Sequence, residues 1–204
     1  ENLEVLRMER KIKEKVTGFR TRDGAGVSLV RVLGHDTVET FDPILMLDSF
    51  DSERPDDYTA GFPLHPHRGI ETISLIVSGN MVHRDSLGNE DAISDGEVQW
   101  MTAGSGIMHE EKLPASERLL GVQLWLNMPK IEKMSPPKYH DIKARMIPRI
   151  FEEKVAVQVI SGQYKDAKGG MQGDYVNMVF LDVNVAPGGT WELDTLAEDT
   201  LFVY

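Results

Sequence analysis

The 204-residue chain reads as an all-β protein, a sandwich or barrel. Short runs of strand-forming residues recur at a spacing of about 8–12 residues, each closed by Gly, Asn or Asp. No helix-period segment of good length interrupts them in the central region. Apolar residues make up 41% and charged residues 27%, so the chain has the composition of a domain able to bury a core.

The best helix candidate is the N-terminal NLEVLRMERKIKEKV (2–16), whose charges are dense and whose apolar face is narrow. The strand candidates begin with TISLIV (72–77), closed by Ser78-Gly79-Asn80. NMVHRDS follows and ends at Gly88-Asn89; AIS ends at Asp95-Gly96. EVQWMT then runs into Gly104-Ser105-Gly106, and GVQLWLN stops before Pro129. Together these place a first module in residues 1–133. The stretch 134–148, MSPPKYHDIKARMIP, carries three prolines and mixed charge and reads as a linker on the surface. Beyond it the β pattern returns in VAVQVISG (155–162), YVNMVFLDVNV (175–185) and, after Pro187-Gly188-Gly189, TWELD. At about ten residues per strand and turn, 149–204 is too short to close an eight-stranded barrel alone. It reads as half of a second module similar to the first. The opening Glu1 and the closing EDTLFVY, a strand entered and not finished, lead to the expectation that a tail is missing.

The formal net charge of −11 lacks the basic footprint of a nucleic-acid binder. No apolar run reaches the ~18 residues of a membrane span, and no signal-peptide pattern opens the chain. Cysteine is absent, so neither a disulfide framework nor a thiolate metal site is available. The expectation is a cytoplasmic chain without membrane or direct nucleic-acid contacts.

The chemistry concentrates in GFPLHPHRGIETISLIVSG (61–79). His65 and His67 are i and i+2; in a strand they share a face, with Cα atoms roughly 6.6 Å apart. Pro66 fixes its own φ and biases His65 toward extended geometry, and Gly69 permits a sharp change of direction. Alone, such a pair is a weak signal. A second pair, His109 and Glu111 in TAGSGIMHEEKLP, stands at the same spacing behind a glycine-rich turn. If the pairs face each other across a small barrel, they offer three nitrogens and one carboxylate oxygen. That set leaves coordination positions open and suits Fe(II), Mn(II), Ni(II) or Co(II) better than a closed structural zinc site.

HPHRGIET, GEVQWMTAGSGIMHEE and GVQLWLN closely resemble the pirin family of the cupin superfamily, and the similarity continues through VAVQVISG and LDVNVAPGGTWEL. The resemblance implies a bicupin, two jelly-roll barrels (double-stranded β-helices) facing each other, with the second apparently incomplete here. It implies one divalent metal, Fe(II) first with Mn, Ni, Co or Zn as alternatives, in the N-terminal barrel on His65, His67, His109 and Glu111. The general cupin pattern would also nominate Glu71; the pirin pattern selects Glu111, and Glu110 is one residue out of phase. The second half holds no ligand pair. Some family members resemble quercetin 2,3-dioxygenases, which implies a flavonol substrate, O2, and Glu111 as catalytic base. Others resemble metal-responsive regulators that bind a transcription factor or a metabolic enzyme.

Around this set several readings stay open. Arg68 is either a turn contact or an anion-binding group. Glu71 is either a core carboxylate or a group orienting an imidazole N–H or a water. Gln99 is either a substrate contact or a solvent-edge residue. Trp100 is a core aromatic or a wall of the metal pocket, and Trp125 a core aromatic. His83 reads as a packed strand histidine and His35 as a loop residue.

Overall fold

The computed structural model describes residues 9–204 and is nearly all-β. The strands are β1 (Phe19–Asp23), β2 (Val27–Leu33), β3 (Ile44–Ser52), β4 (Phe62–His67), β5 (Ile70–Ser78), β6 (Met81–Asp85), β7 (Glu90–Ile93) and β8 (Glu97–Thr102). They continue with β9 (Ile107–Lys112), β10 (Leu119–Asn127), β11 (Lys138–Ile142), β12 (Arg149–Glu152), β13 (Val155–Ser161), β14 (Gln163–Tyr164), β15 (Ala167–Lys168) and β16 (Phe180–Val185). A seven-stranded sheet runs β1-β2-β3-β10-β5-β8-β11, and a four-stranded sheet runs β4-β9-β6-β7. Between them lies an apolar cluster that includes Val27, Phe50, Tyr58, Ile76, Met81 and Leu119. The two sheets form the cupin-type barrel.

The second half forms a three-stranded sheet, β12-β13-β16, and the small hairpin β14-β15. It packs on the outer face of the seven-stranded sheet. There Ile73, Leu75, Val98 and Trp100 join Ile147 and Ile160 in one buried cluster, with Val176, Met178 and Phe180 against it. The seven-stranded sheet is therefore buried on both faces. That explains why β5 and β8 are buried along nearly their whole length rather than at alternate residues.

Three elements differ from the sequence reading. Residues 9–16 are not helical, and the rest of the proposed helix lies outside the described residues. Arg10 instead reaches the C-terminal stretch, donating to Thr195 Oγ1 (2.7 Å) and to the carbonyls of Asp199 (2.9 Å) and Leu196. The expected linker contains β11, which pairs antiparallel with β8 from Lys138↔Thr102 to Ile142↔Val98. Pro136, Pro137 and Pro148 bracket this strand without entering it, so its ladder keeps every donor it needs. Within 175–185 only Phe180–Val185 is strand, and TWELD forms none. The Tyr175 N–H goes to the Glu71 carboxylate rather than to a ladder partner (3.1 Å). Trp191 is held through its side chain, its Nε1 donating to Tyr164 Oη at 3.0 Å.

Candidate metal centre

β4 and β9 carry the two candidate pairs, His65/His67 and His109/Glu111, and they are adjacent antiparallel strands of one sheet. His65 is directly opposite His109 and His67 opposite Ile107. The pairs thus lie side by side rather than across the barrel. Two turns fix this: Gly69, at φ 68°, donates its N–H to the carbonyl of Gly104, at φ 50°, over 2.8 Å. Both glycines occupy the left-handed region that L-residues avoid. At Gly104 a Cβ would lie 2.0 Å from the Ser135 carbonyl oxygen.

The imidazoles of His65, His67 and His109 bring one ligand nitrogen each within 4.8 Å of one another. Their ring centroids are 4.4 to 4.9 Å apart. His65 Nδ1 lies 2.7 Å from the Pro63 carbonyl oxygen. A carbonyl only accepts, so Nδ1 carries the proton and Nε2 presents its lone pair. That Nε2 is 3.1 Å from His67 Nε2, about the spacing of two neighbouring ligands on an ion with bonds near 2.1 Å. His109 Nε2 is buried and has no hydrogen-bond partner among the described residues. An orphaned buried nitrogen beside two others is costly unless something binds it. The donor set therefore fits a divalent transition metal.

Burial and the neighbouring rings hold His67 and His109 neutral. Desolvation first, then His65, lowers His67 to about 4. Desolvation, then His65, His67 and His83, lowers His109 to about 2. Neither needs to shed a proton at neutral pH before it can ligate. His65 is only half-buried and marks the side on which the site meets solvent.

Glu111 follows His109 by two residues on the same inward face and is 2% exposed. Gln123 Nε2 donates to both its oxygens (3.0 and 3.1 Å), and Gln99 Nε2 donates weakly to Oε1 (3.4 Å). Burial pushes the Glu111 carboxyl up, opposed by these amides and by His65. Glu110 points outward toward Arg84, at 3.6 Å, as its phase requires.

Gln99 and Gln123 belong to a polar row that crosses the inner face of the large sheet. Reading along the register, Arg31, Asp48, Gln123, Ser74, Gln99 and Asp141 are successive cross-strand neighbours on β2, β3, β10, β5, β8 and β11. Asp48, Ser74, Gln99 and Gln123 are all buried. Glu111 meets this row from the opposing sheet. Gln99 is accordingly an interior residue with no solvent-edge role. Gln123 is a site residue that the strand reading passed over. Its signal was a glutamine between Val122 and Leu124 in an otherwise apolar strand.

The other candidates fall elsewhere. Trp100 and Glu71 lie on the outer face of the sheet, one residue out of phase with Gln99 and Thr72. Trp100 is fully buried in the cluster shared with the second half and donates to Glu71 Oε2 at 3.1 Å. Glu71 also accepts from Thr102 Oγ1 (3.2 Å) and Tyr175 N (3.1 Å), so it joins the two halves instead of orienting an imidazole. Arg68 is exposed and lies against Met134 Sδ (3.1 Å). Trp125, read as core, sits edge-on to His67 with centroids 4.8 Å apart, and its buried Nε1 has no partner among the described residues. His83 is buried beside His109, with ring centroids 5.3 Å apart. His35 is fully exposed, as read.

A cupin-type β-barrel with three converging imidazoles and a buried glutamate on one sheet defines a metal-binding cupin. The chain belongs to the pirin family. Residues 26–126 match the family model described as Pirin. The chain is 42% identical over 187 residues to a "Pirin-like protein" of Caulobacter vibrioides, covering 90% of this chain and 67% of that one. It is 43% identical over 186 residues to a Pseudomonas aeruginosa protein named "Putative quercetin 2,3-dioxygenase", covering 88% of this chain and 65% of that one. The chain thus spans about two thirds of the length of these relatives. Among solved structures, GK1651 from Geobacillus kaustophilus superposes with a TM-score of 0.74 at 32% identity, over 87% of this chain and 69% of that one. The Escherichia coli bacterial pirin YhhW in complex with nickel(II) gives 0.51 at 27% identity, over 61% and 53%. Among the described residues no helix is long and apolar enough to cross a membrane.

Proposed function

We propose that the chain is the metal-binding part of a dioxygenase that acts on flavonol substrates with O2. The observation that carries this reading is the convergence of three imidazoles beside a buried carboxylate, open on the His65 side. His65, His67 and His109 would hold one divalent ion, Fe(II) first, with Glu111 as fourth ligand. When bound, such an ion supplies Lewis acidity that binds and acidifies a phenolic or enolic hydroxyl. Glu111 would take that proton, a role supported by its burial, which raises its affinity for one. Gln123 and Gln99 fix the carboxylate while it does so. Trp125 offers an edge beside His67 and an indole N–H with no other partner, suited to an aromatic substrate bearing an acceptor oxygen. The name of the Pseudomonas relative and the nickel complex of the E. coli pirin support the same reading.

The test is O2 consumption with quercetin by protein loaded with Fe, Mn, Ni or Co, against the same free metals. Turnover above the free-metal background, abolished in His67→Ala, is expected. Tight metal binding without turnover would overturn the enzymatic reading in favour of a metal-responsive regulatory protein that binds a protein partner.

A further inference from the structure

His83 is fully buried and is not one of the converging imidazoles. It lies on β6, and Asp85, two residues on, is directly opposite His109. His83 stacks on Tyr139, with centroids 4.3 Å apart and planes 14° apart, which fixes its ring plane. Its Nε2 lies 3.0 Å from Asp85 Oδ2. Asp85 is itself held: Oδ1 accepts from the Leu87 and Asn89 N–H groups (2.9 and 3.1 Å) and Oδ2 from Asn89 Nδ2 (2.9 Å). These bonds keep the carboxylate ionised, well able to accept.

The protons follow from this anchor. An ionised carboxylate only accepts, so His83 Nε2 carries the hydrogen. His83 Nδ1 is then a bare lone pair, consistent with Gln99 Nε2 donating to it at 2.9 Å. The other group near that lone pair is His109 Nδ1, at 3.4 Å. Gln99 already takes most of that single lone pair, so His109 Nδ1 shares it only as a weak second donor. Two bare nitrogens facing each other at this distance would repel, so His109 carries its proton on Nδ1. Its Nε2, the buried nitrogen without a hydrogen-bond partner, is left as a lone pair.

We propose that Asp85 and His83 are positioning residues that set the tautomer of His109, holding Nε2 as the metal-facing donor. His65 reaches the same tautomer by a separate route, through the Pro63 carbonyl. Two independent devices therefore fix Nδ1–H on two neighbouring imidazoles. This explains why a strand histidine and an aspartate with no place among the ligands are buried together under the site. The inference deepens the metal reading and rests on it for its purpose, but the tautomer itself is a property of the metal-free chain.

The test begins with long-range 15N–1H NMR of chelator-treated protein, which distinguishes protonated from bare ring nitrogens. The Nδ1–H form is expected for His109 and for His65. An Nε2–H form at His109 in the wild type would overturn the inference. The second arm is Asp85→Asn. An Asn side chain turned to keep the Leu87 and Asn89 amides on its oxygen presents an NH2 to His83. His83 then becomes the Nδ1–H form, with the Gln99 amide turned to present its otherwise unpartnered Oε1, and His109 the Nε2–H form. Nickel(II) affinity by calorimetry should fall about 10–100-fold, as for loss of a group that orients a ligand, while His65 keeps its Nδ1–H signature. Unchanged tautomer and affinity in a folded Asp85→Asn chain would refute the proposal. Should Asp85→Asn not fold, the wild-type spectrum alone decides. A wild type with the expected tautomers that binds no nickel would sink the metal reading and leave the tautomer relay standing.

Discussion

Replacing Glu71 with Gln separates the two faces of the seven-stranded sheet. The general cupin pattern would make Glu71 a metal ligand; in this fold it faces the second half and accepts from Trp100 Nε1, Thr102 Oγ1 and the Tyr175 N–H. Glutamine has one acceptor oxygen. If that oxygen keeps Thr102 and Tyr175, the new amide meets the Trp100 N–H donor to donor. Leaving a buried donor unsatisfied costs about 1–3 kcal/mol. Part of this is offset, because burial already disfavours the ionised Glu71 and a neutral amide is cheaper to bury. A net loss of about 1–2 kcal/mol remains, which for a chain of this size lowers Tm by roughly 2–8 °C. Thermal unfolding followed by circular dichroism reads the stability, and nickel calorimetry on the same sample reads the site. Metal affinity should change less than two-fold. A tenfold loss of affinity at unchanged Tm would place Glu71 at the metal and refute the opposite-face assignment.

Glu111→Gln should abolish any flavonol turnover and weaken metal binding, because the amide cannot take a proton and offers Gln123 no second acceptor oxygen; retained turnover in steady-state O2 uptake would contradict this. The metal-free chain should lose stability as pH falls below about 6.5. His67 stays neutral in the fold down to about 4, whereas the unfolded chain takes up that proton at 6.5, so this group alone favours unfolding by about 2 kcal/mol at pH 5 and by roughly 3 kcal/mol well below pH 4; urea midpoints at pH 7.5 and 5 measure the first of these. Gly104→Ala should destabilise the chain and cut metal affinity together, since the new Cβ collides with the Ser135 carbonyl in the turn that carries His109 and needs φ 50°; binding and melting curves unchanged from wild type would show that the turn relaxes freely.

Strands β5 to β8 and β10 were legible because their punctuation is local. EVQWMT lies between Asp95-Gly96 and Gly104-Ser105-Gly106 in sequence and spans Glu97–Thr102 in the fold. The same holds for the candidate histidines, whose phase within a strand is set by the chain next to them. What stayed hidden depends on register. That β4 lies beside β9 rather than across the barrel, or that Gln123, Ser74 and Gln99 form one row, follows from pairings between distant strands. Glu71 shows the limit most clearly. In a straight strand it would share a face with His67, but the turn at Gly69 moves the chain from one sheet to the other, and the phase is lost there. His83 looked like a packed strand residue, and it is one. Its link to His109 appears only once β6 is paired with β9.

The most direct measurement is the metal content of purified wild type and of the single variants His65→Ala, His67→Ala and His109→Ala after equilibration with nickel(II). One ion per wild-type chain, lost from each variant while circular dichroism reports an intact β fold, is the predicted result. A folded wild type that retains no ion, or variants that retain a full equivalent, would contradict the assignment of the three imidazoles as a metal centre.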